Sequence, residues 1–285
     1  MSGIYWLASY PKSGNTWFRS FLSNLQQDGD APAHINELAT GTIASARDWL
    51  DEALGFDSAD LSADEIDRLR PAVYRWGLRD PEVGYHKIHD AYTRTAAGEP
   101  LVGREATLGA LYIVRNPLDV APSAANHWHV SLDEAIARMG RHDMALASDG
   151  KKLNKQVRQK LLSWSQHVLS WADAPGLNRL VIRYEDMLAA PIGTFTQAAR
   201  FLQQPCDAAR IGKAVRFSDF QVLSRQETEK GFRERPTEAG RFFRQGKSGG
   251  WRKQLTAAQA ARIVADHGEV MRRFGYLDAA GQPLL

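Results

Sequence analysis

The first seventeen residues restrict the fold more than any other stretch. An apolar run from Ile4 to Ser9 leads straight into Tyr10-Pro-Lys-Ser-Gly14. A helical pattern then starts at Asn15, with Trp17, Phe18, Phe21, Leu22 and Leu25 as its apolar residues. Strand, glycine-containing turn and helix start form the opening of an α/β unit. The start of such a helix presents unpaired backbone N–H groups and the positive end of the helix dipole. Lys12, Ser13, Asn15 and Thr16 add side-chain donors. Two readings stay open for the loop alone: an anion site, or a helix cap carrying a surface lysine. The triphosphate pattern G-x-x-x-x-G-K-[ST] is absent, because Lys12 precedes the single Gly14. No acidic residue after a later apolar strand makes a convincing Mg²⁺ ligand, which disfavours a metal-assisted nucleotide triphosphatase.

Further strands are expected at Val83 to His89, Leu111 to Val114 and Leu180 to Arg183. Helices are expected around Ala44 to Leu54, from the capping box Ser62-Ala-Asp-Glu65 with a break at Pro71, and after Asn116-Pro117. Others follow the capping box Ser131-Leu-Asp-Glu134 and occupy Asn154 to Trp171, Pro191 to Leu202, Asp207 to Val215 and Ala257 to Phe274. The Gly/Arg-rich segment 224–250 shows little periodicity and reads as a loop. Strands alternating with helices imply an α/β fold, a central mostly parallel sheet flanked by helices. Ligands of such sheets bind beyond the carboxyl ends of the strands. The segments to search are therefore Tyr10–Trp17, His89–Thr95, Arg115–Ser123 and Tyr184–Met187.

Composition excludes several classes. The 285 residues, 44% hydrophobic, suit one large α/β domain or two small ones. A single cysteine, Cys206, cannot form an internal disulfide, and a reducing cytoplasm is the expected compartment. No apolar run approaches the roughly 20 residues that span a bilayer, and Met1-Ser-Gly-Ile-Tyr-Trp-Leu7, without a charged start or a long apolar core, is expected to be a strand and not a signal peptide. The net charge of +3 suits an anionic small ligand as well as anything larger, and nucleic acid, which usually needs clustered Lys/Arg with aromatics, is not the expected partner. The dense basic stretches are Lys151-Lys152 to Lys160, which reads as a solvated helix face, and Arg233 to Lys253.

Leu111-Tyr-Ile-Val-Arg-Asn-Pro-Leu-Asp-Val-Ala-Pro-Ser123 repeats the logic of the first loop. Arg115 at a strand end can grip a phosphate with two parallel bonds, and Ser123 can donate a hydroxyl. The alternative for Arg115 is a structural ion pair. Asp119 is expected to cap the helix or pair with a cation. Two anion sites on one sheet edge suggest a ligand with two separated phosphate-like ends.

Together these segments resemble the cytosolic-type sulfotransferases that use 3'-phosphoadenosine 5'-phosphosulfate (PAPS), in order and over most of the chain. Tyr10-Pro-Lys-Ser-Gly-Asn-Thr-Trp17 resembles that family's 5'-phosphosulfate loop, and with Asn15 it is similar to the loop of bacterial members. Tyr112 to Val120 with Ser123 resembles its 3'-phosphate segment. Arg183-Tyr-Glu-Asp-Met187 resembles the segment whose tyrosine lies near the adenine. Phe242-Phe-Arg-Gln-Gly-Lys-Ser-Gly-Gly-Trp251 resembles its C-terminal Arg-Lys-Gly-x-x-Gly-x-Trp loop.

The resemblance implies a P-loop-like sulfotransferase fold, with residues 1–285 as one domain. Helical acceptor-cap insertions fall near 30–80 and 130–160, and a cofactor loop spans 224–251. It implies donor binding through Lys12, Ser13, Gly14, Asn15, Thr16, Trp17, Arg115, Ser123, Tyr184, Ser218, Phe220, Phe243, Arg244, Gln245 and Gly246. PAPS would be cosubstrate and 3'-phosphoadenosine 5'-phosphate (PAP) product, with no metal required. His89, in Lys87-Ile-His89, takes the place of the family's base, with Lys12 and Lys87 assisting. An imidazole, ordinarily titrating near pH 6.5, suits that task. His86 competes, but strand alternation puts it on the opposite face.

Gln245, Ile88 and Gly250 depart from the family pattern, and Gln245 removes a cation near the 3'-phosphate. The acceptor is expected to be a hydroxyl of a small molecule, carbohydrate or natural product, with sugar, phenol, lipid and peptide-phenol hydroxyls all left open. Its walls are expected from 30–60, 90–108, Asn126-His-Trp-His129, 139–157 and 224–245, where Trp128 is as easily core. The resemblance leaves the oligomeric state open. The competing readings are a P-loop kinase or NTPase, a protein that binds PAP or PAPS without catalysis, and a heparan-type sulfotransferase with a glutamate base.

Overall fold

All seven residues of β1 (Gly3–Ser9) are buried, as a strand covered on both faces requires. The computed structural model describes residues 2–77, 83–148, 153–235 and 241–284. The next strands are β2 (Val83–Ile88) and β3 (Thr107–Val114), then the two-residue β4 (Ala145–Leu146) and β5 (Gln159–Lys160), and β6 (Arg179–Arg183). The main sheet has the order β2-β1-β3-β6, and β4 pairs with β5 in a separate ribbon. β1 and β2 are parallel, in a register running from Gly3 opposite Val83 to Ala8 opposite Ile88. The central sheet with flanking helices is the architecture expected from the sequence.

Contacts divide the chain into two units. The first comprises Met1–Tyr10, Thr40–Tyr112 and His142–Leu180. It holds β1, β2, most of β3, the β4–β5 ribbon, and the helices α2 (Arg47–Leu54), α3 (Ala63–Trp76) and α6 (Trp164–Ala172). Its interior combines aromatic packing with a buried ion pair. The Trp6 and Tyr74 rings meet edge-on at 4.8 Å. The fully buried Arg70 guanidinium donates to both Asp90 carboxylate oxygens, at 2.9 and 2.7 Å, and to the Tyr74 hydroxyl at 2.8 Å. Removing one partner of such a pair strands a buried charge, at about 3–5 kcal/mol.

The second unit comprises Pro11–Ala39, Ile113–Arg141 and Val181–Leu285. It holds α1 (Asn15–Gln27), α4 (Pro117–Trp128), α5 (Leu132–Gly140), α7 (Tyr184–Ala189), α8 (Pro191–Phe201), α9 (Ala208–Phe217), α10 (Phe220–Lys230) and α11 (Ala257–Arg273). Phe18, Phe21, Leu22 and Leu25 of α1 are fully buried, each contributing about 1.5–3 kcal/mol. Phe18 in the first turn and Phe21 in the second stack on Phe195 of α8 at 6.0 and 4.2 Å, so α1 is anchored from its first turn.

Three expectations need correction. Residues 154–163 are not helical, and α6 starts only at Trp164. Val157, Gln159, Leu161 and Ser163 are the buried residues of that stretch, an alternation of period two. Val157 and Leu161 also fit a helical spacing, and the polar Gln159 between them hid the strand. The Ser163–Gln166 capping box then sets the helix start. Among the described residues, the insertion near 130–160 is therefore helical only in α5. Pro71 does not break α3, which is continuous. The lost backbone hydrogen bond is outweighed by burial of Ile66, Arg70, Val73 and Tyr74. Finally, the expected loop 224–251 begins as a helix, α10. That helix buries Leu223, Gln226 and Glu227, and polar residues at two of these positions erase the apolar period. Gln226 bonds the backbone of Ile35 and Ala33, while Glu227 accepts the amides of Phe242 and Phe243. Residues 78–82, Lys151 and Lys152 of the basic stretch, and 236–240 of the C-terminal loop lie outside the described residues.

Candidate active site

The loop after β1 is held in a backbone shape that few sequences tolerate. Lys12 lies at φ +69° and Gly14 at φ +98°, both in the left-handed region. A Cβ on Gly14 would come within 2.6 Å of the Tyr184 ring. Gly14 is the N-cap of α1 and supplies no side-chain cap, and the first turn carries no acidic residue. A helix start of this kind, with its positive dipole end and no acidic residue beside it, suits a ligand with negative charge. Ser13 is buried, and Lys12 places its ammonium 3.7 Å from the centre of the Phe242 ring.

Arg115, at the end of β3, joins this loop. Its Nη1 donates to the Lys12 carbonyl at 2.9 Å and its Nη2 to the Lys247 carbonyl at 3.2 Å. The guanidinium lies 4.2 Å from the centre of the Tyr184 ring. Among the described residues, Arg115 makes no ion pair; both bonds go to backbone carbonyls. It bridges the first anion loop and the C-terminal loop. The next residue is held as firmly. Asn116 donates its amide to Glu185 at 3.0 Å, and the other Glu185 oxygen accepts from the Tyr276 hydroxyl at 2.9 Å. Burial raises the Glu185 carboxyl above its ordinary range. Among the described residues, Asp119 neither caps α4 nor pairs with a cation. Its carboxylate accepts the amides of Gly249 at 2.8 Å and Trp251 at 3.0 Å. Asn116 is the N-cap instead.

The expected nucleoside residues gather in the same unit. The Trp17 and Tyr184 rings meet edge-on at 5.7 Å, and burial raises the Tyr184 hydroxyl above its ordinary range. Phe220 opens α10 beside Gly246, where φ is +58° and a Cβ would lie 2.3 Å from the Phe220 ring. Phe243 packs edge-on to Phe220 at 6.4 Å. Ser218 is buried with its hydroxyl turned back to the Ala214 and Val215 carbonyls. Ser123 is half-buried on α4; Arg244 and Gln245 are exposed. Arg244 lines a cleft of about 450 Å³ with Pro122, Ala125, Asn126, His129 and Gln254. Ser13 Oγ and Arg115 Nε are buried donors of this group without a protein hydrogen-bond partner. Donors of that kind fit a ligand rich in anionic oxygens.

The expected base lies in the other unit. His89 follows β2, and its Nδ1 faces the Ser9 carbonyl at 2.8 Å. A carbonyl only accepts, so Nδ1 carries the proton and Nε2 of the neutral ring is the basic nitrogen. Lys87 is half-buried and Ile88 fully buried. His86 is engaged elsewhere: its ring stacks on Trp49 at 4.5 Å and its Nδ1 meets the Thr42 carbonyl at 3.0 Å. Behind His89 lies a network that motif reading missed. His167 Nε2 bonds the His89 carbonyl at 2.9 Å, and the Tyr112 hydroxyl bonds His167 Nδ1 at 2.9 Å. Trp171 Nε1 donates to the Asp90 carbonyl at 2.9 Å. One signal was available: His167 is a polar residue on the face of α6 that buries Trp164, Val168 and Trp171.

Comparison with known proteins converges on one family. The profile described as "Sulfotransferase domain" matches residues 4–275. Sulfotransferase 2A6 of Rattus norvegicus is 25% identical over 278 residues, covering 94% of this chain and 84% of the relative. Sulfotransferase 2A2 of Mus musculus is 23% identical over 273 residues, covering 94% and 84%. Among solved structures, mouse sulfotransferase SULT7A1 complexed with PAP has a TM-score of 0.60 at 18% identity, covering 98% of this chain and 87% of its own. Retinol dehydratase in a complex with retinol and PAP has a TM-score of 0.63 at 16% identity, covering 94% and 81%.

Proposed function

This chain belongs to the sulfotransferase-domain family and is a PAPS-dependent sulfotransferase; we propose that it sulfates the hydroxyl of a small-molecule or carbohydrate acceptor, with His89 as general base and residues 1–285 acting as one domain. The observation that carries the donor assignment is the bond from Arg115 to the Lys12 carbonyl. It makes one group of the two anion-binding segments, as a nucleotide with a 5' and a 3' phosphate requires. PAPS supplies a sulfuryl group on its 5'-phosphate: the acceptor oxygen bonds to sulfur as the bond from sulfur to the phosphate oxygen breaks, releasing PAP.

Each residue then has a task. The amides that open α1, with Ser13, Asn15 and Thr16, take the 5' end. Lys12 neutralises charge on the leaving phosphate oxygen, and Lys87 assists at the sulfuryl oxygens. Arg115, Ser123, Arg244, Gln245 and the Gly246 backbone take the 3'-phosphate. Trp17, Tyr184, Ser218, Phe220 and Phe243 flank the nucleoside. His89 removes the acceptor proton at Nε2, because the Ser9 carbonyl holds the other nitrogen protonated. A sulfuryl group carries less charge than a phosphoryl group, so fixed cations and amides meet its electrostatic demand without a metal.

Calorimetric titration with PAP, and with Mg·ATP as control, tests the donor site; tighter binding of Mg·ATP would refute it. His89→Ala should lower turnover of ³⁵S-PAPS by about a hundredfold or more, the size of a lost general base, and leave PAP binding unchanged. Near-normal turnover in that variant would end the base assignment.

A further inference from the structure

The residue behind His89 is itself a histidine, and none of the roles above uses it. His167 is fully buried on α6, far from any sequence motif. It touches three strand ends at once. Its Nε2 lies 2.9 Å from the His89 carbonyl, just after β2. Its Nδ1 lies 2.9 Å from the Tyr112 hydroxyl on β3. The Tyr10 ring, next after β1, meets its ring edge-on at 5.3 Å.

These contacts fix the proton positions. The His89 carbonyl can only accept, so Nε2 of His167 carries hydrogen. Nδ1 is then the acceptor, and the Tyr112 hydroxyl donates to it. The chain of donors runs one way: Tyr112 to His167 to the His89 backbone. Burial holds His167 down to about 4, so the ring stays neutral and keeps this arrangement at physiological pH. A merely structural core position would be filled as well by an apolar side chain, without burying two ring nitrogens.

We propose that His167, set in its tautomer by Tyr112, is a positioning residue for the reaction: it fixes the His89 backbone, while the Ser9 carbonyl fixes the His89 ring, so that the basic nitrogen is held in one place. This rests on the reading of His89 as general base. The two bonds act on different parts of one residue. The Ser9 carbonyl stops rotation of the imidazole, and His167 stops the peptide plane after His89 from tilting. A base displaced by about 1 Å loses on the order of a hundredfold in rate, so holding both parts has a measurable effect.

The test compares His167→Leu, which removes the donor, with His167→Gln, which retains a side-chain N–H. His167→Leu should lower kcat by about 10–100-fold, the usual cost of losing an orienting partner. KM for PAPS and Kd for PAP should remain within about twofold, the size of an unaltered donor site. His167→Gln should recover most of the rate. In a His89→Ala background, His167→Leu should cost nothing further, because the two act through one step. An unchanged kcat in His167→Leu overturns the inference, as does an extra loss on top of His89→Ala or a parallel loss of PAP binding. Should His167→Leu not fold, Tyr112→Phe preserves the volume and should reduce kcat by several-fold with PAP binding intact; wild-type kcat there overturns it too. If His89→Ala alone retains turnover, the base assignment has failed and the inference falls with it. If His89→Ala is inactive and His167→Leu is normal, the inference alone has failed.

Discussion

Asp119→Ala should loosen the C-terminal loop without touching the nucleotide. The Asp119 carboxylate is 5% exposed and accepts the Gly249 and Trp251 amides at 2.8 and 3.0 Å. A hydrogen bond to a charged group contributes about 1.5–3 kcal/mol. Both donors are half-buried, so water replaces part of each bond, and about 1–1.5 kcal/mol apiece is the expected net loss. Together that is about 2–3 kcal/mol, or roughly 30–150-fold at 1.4 kcal/mol per decade, drawn from the energy that orders the loop bearing Arg244. If PAP must find that loop in place, its Kd rises by the same factor. Asp119→Asn should be only slightly milder, because its amide NH₂ turns a donor toward a donor. Calorimetric titration with PAP reads the effect, and thermal unfolding without ligand checks that the rest of the fold is intact. A PAP affinity within threefold of wild type would refute the idea that this carboxylate organises the donor site.

Other outcomes follow from backbone shape and burial. Gly246→Ala must place a Cβ into the Phe220 ring at a φ of +58°, and Gly14→Ala must do the same against Tyr184 at +98°. Each should weaken PAP by tenfold or more, about the 1–3 kcal/mol of a strained backbone residue, measured by the same titration. The fold should also lose stability in mild acid. Burial lowers His167 and His267 from 6.5 to about 4, so between those values the unfolded chain takes up protons that the folded chain refuses. Their contribution is constant above pH 6.5, falls as pH drops toward 4, and sums to about 3 kcal/mol for each. Urea unfolding at pH 7.5 and pH 5 should show the decrease, and His267→Leu should flatten part of it.

What the sequence disclosed depended on how local the chemistry is. The turn at Lys12 to Gly14, the Arg115 strand end and the caps at Ser62 and Ser131 are written in consecutive residues, and all form as expected. The buried polar network was not legible. Gln226, Glu227 and His167 occupy interior faces because their partners, the amides of Ile35 and Phe242 and the His89 carbonyl, lie far off in the chain. A hydrophobicity pattern counts them as surface. Gln159 misled for the same reason. Asp119 was placed correctly at a helix start, but its acceptance of the Gly249 and Trp251 amides could not be read from its own neighbourhood.

The bond between Tyr276 and Glu185 also bears on how the protein is made. Glu185 holds the amide of Asn116, beside Arg115, and Tyr276 supplies the second partner of that buried carboxyl. A ribosome reaches Tyr276 about 160 residues after Asn116, roughly ten to thirty seconds later at typical elongation rates. Until then the carboxyl lacks its tyrosine, and the Trp251 amide that Asp119 awaits has only just been made. On the donor site proposed above, nucleotide recognition should be acquired late in synthesis. A nascent chain stalled before Tyr276 should carry a folded α1 and yet fail to be retained on immobilised PAP.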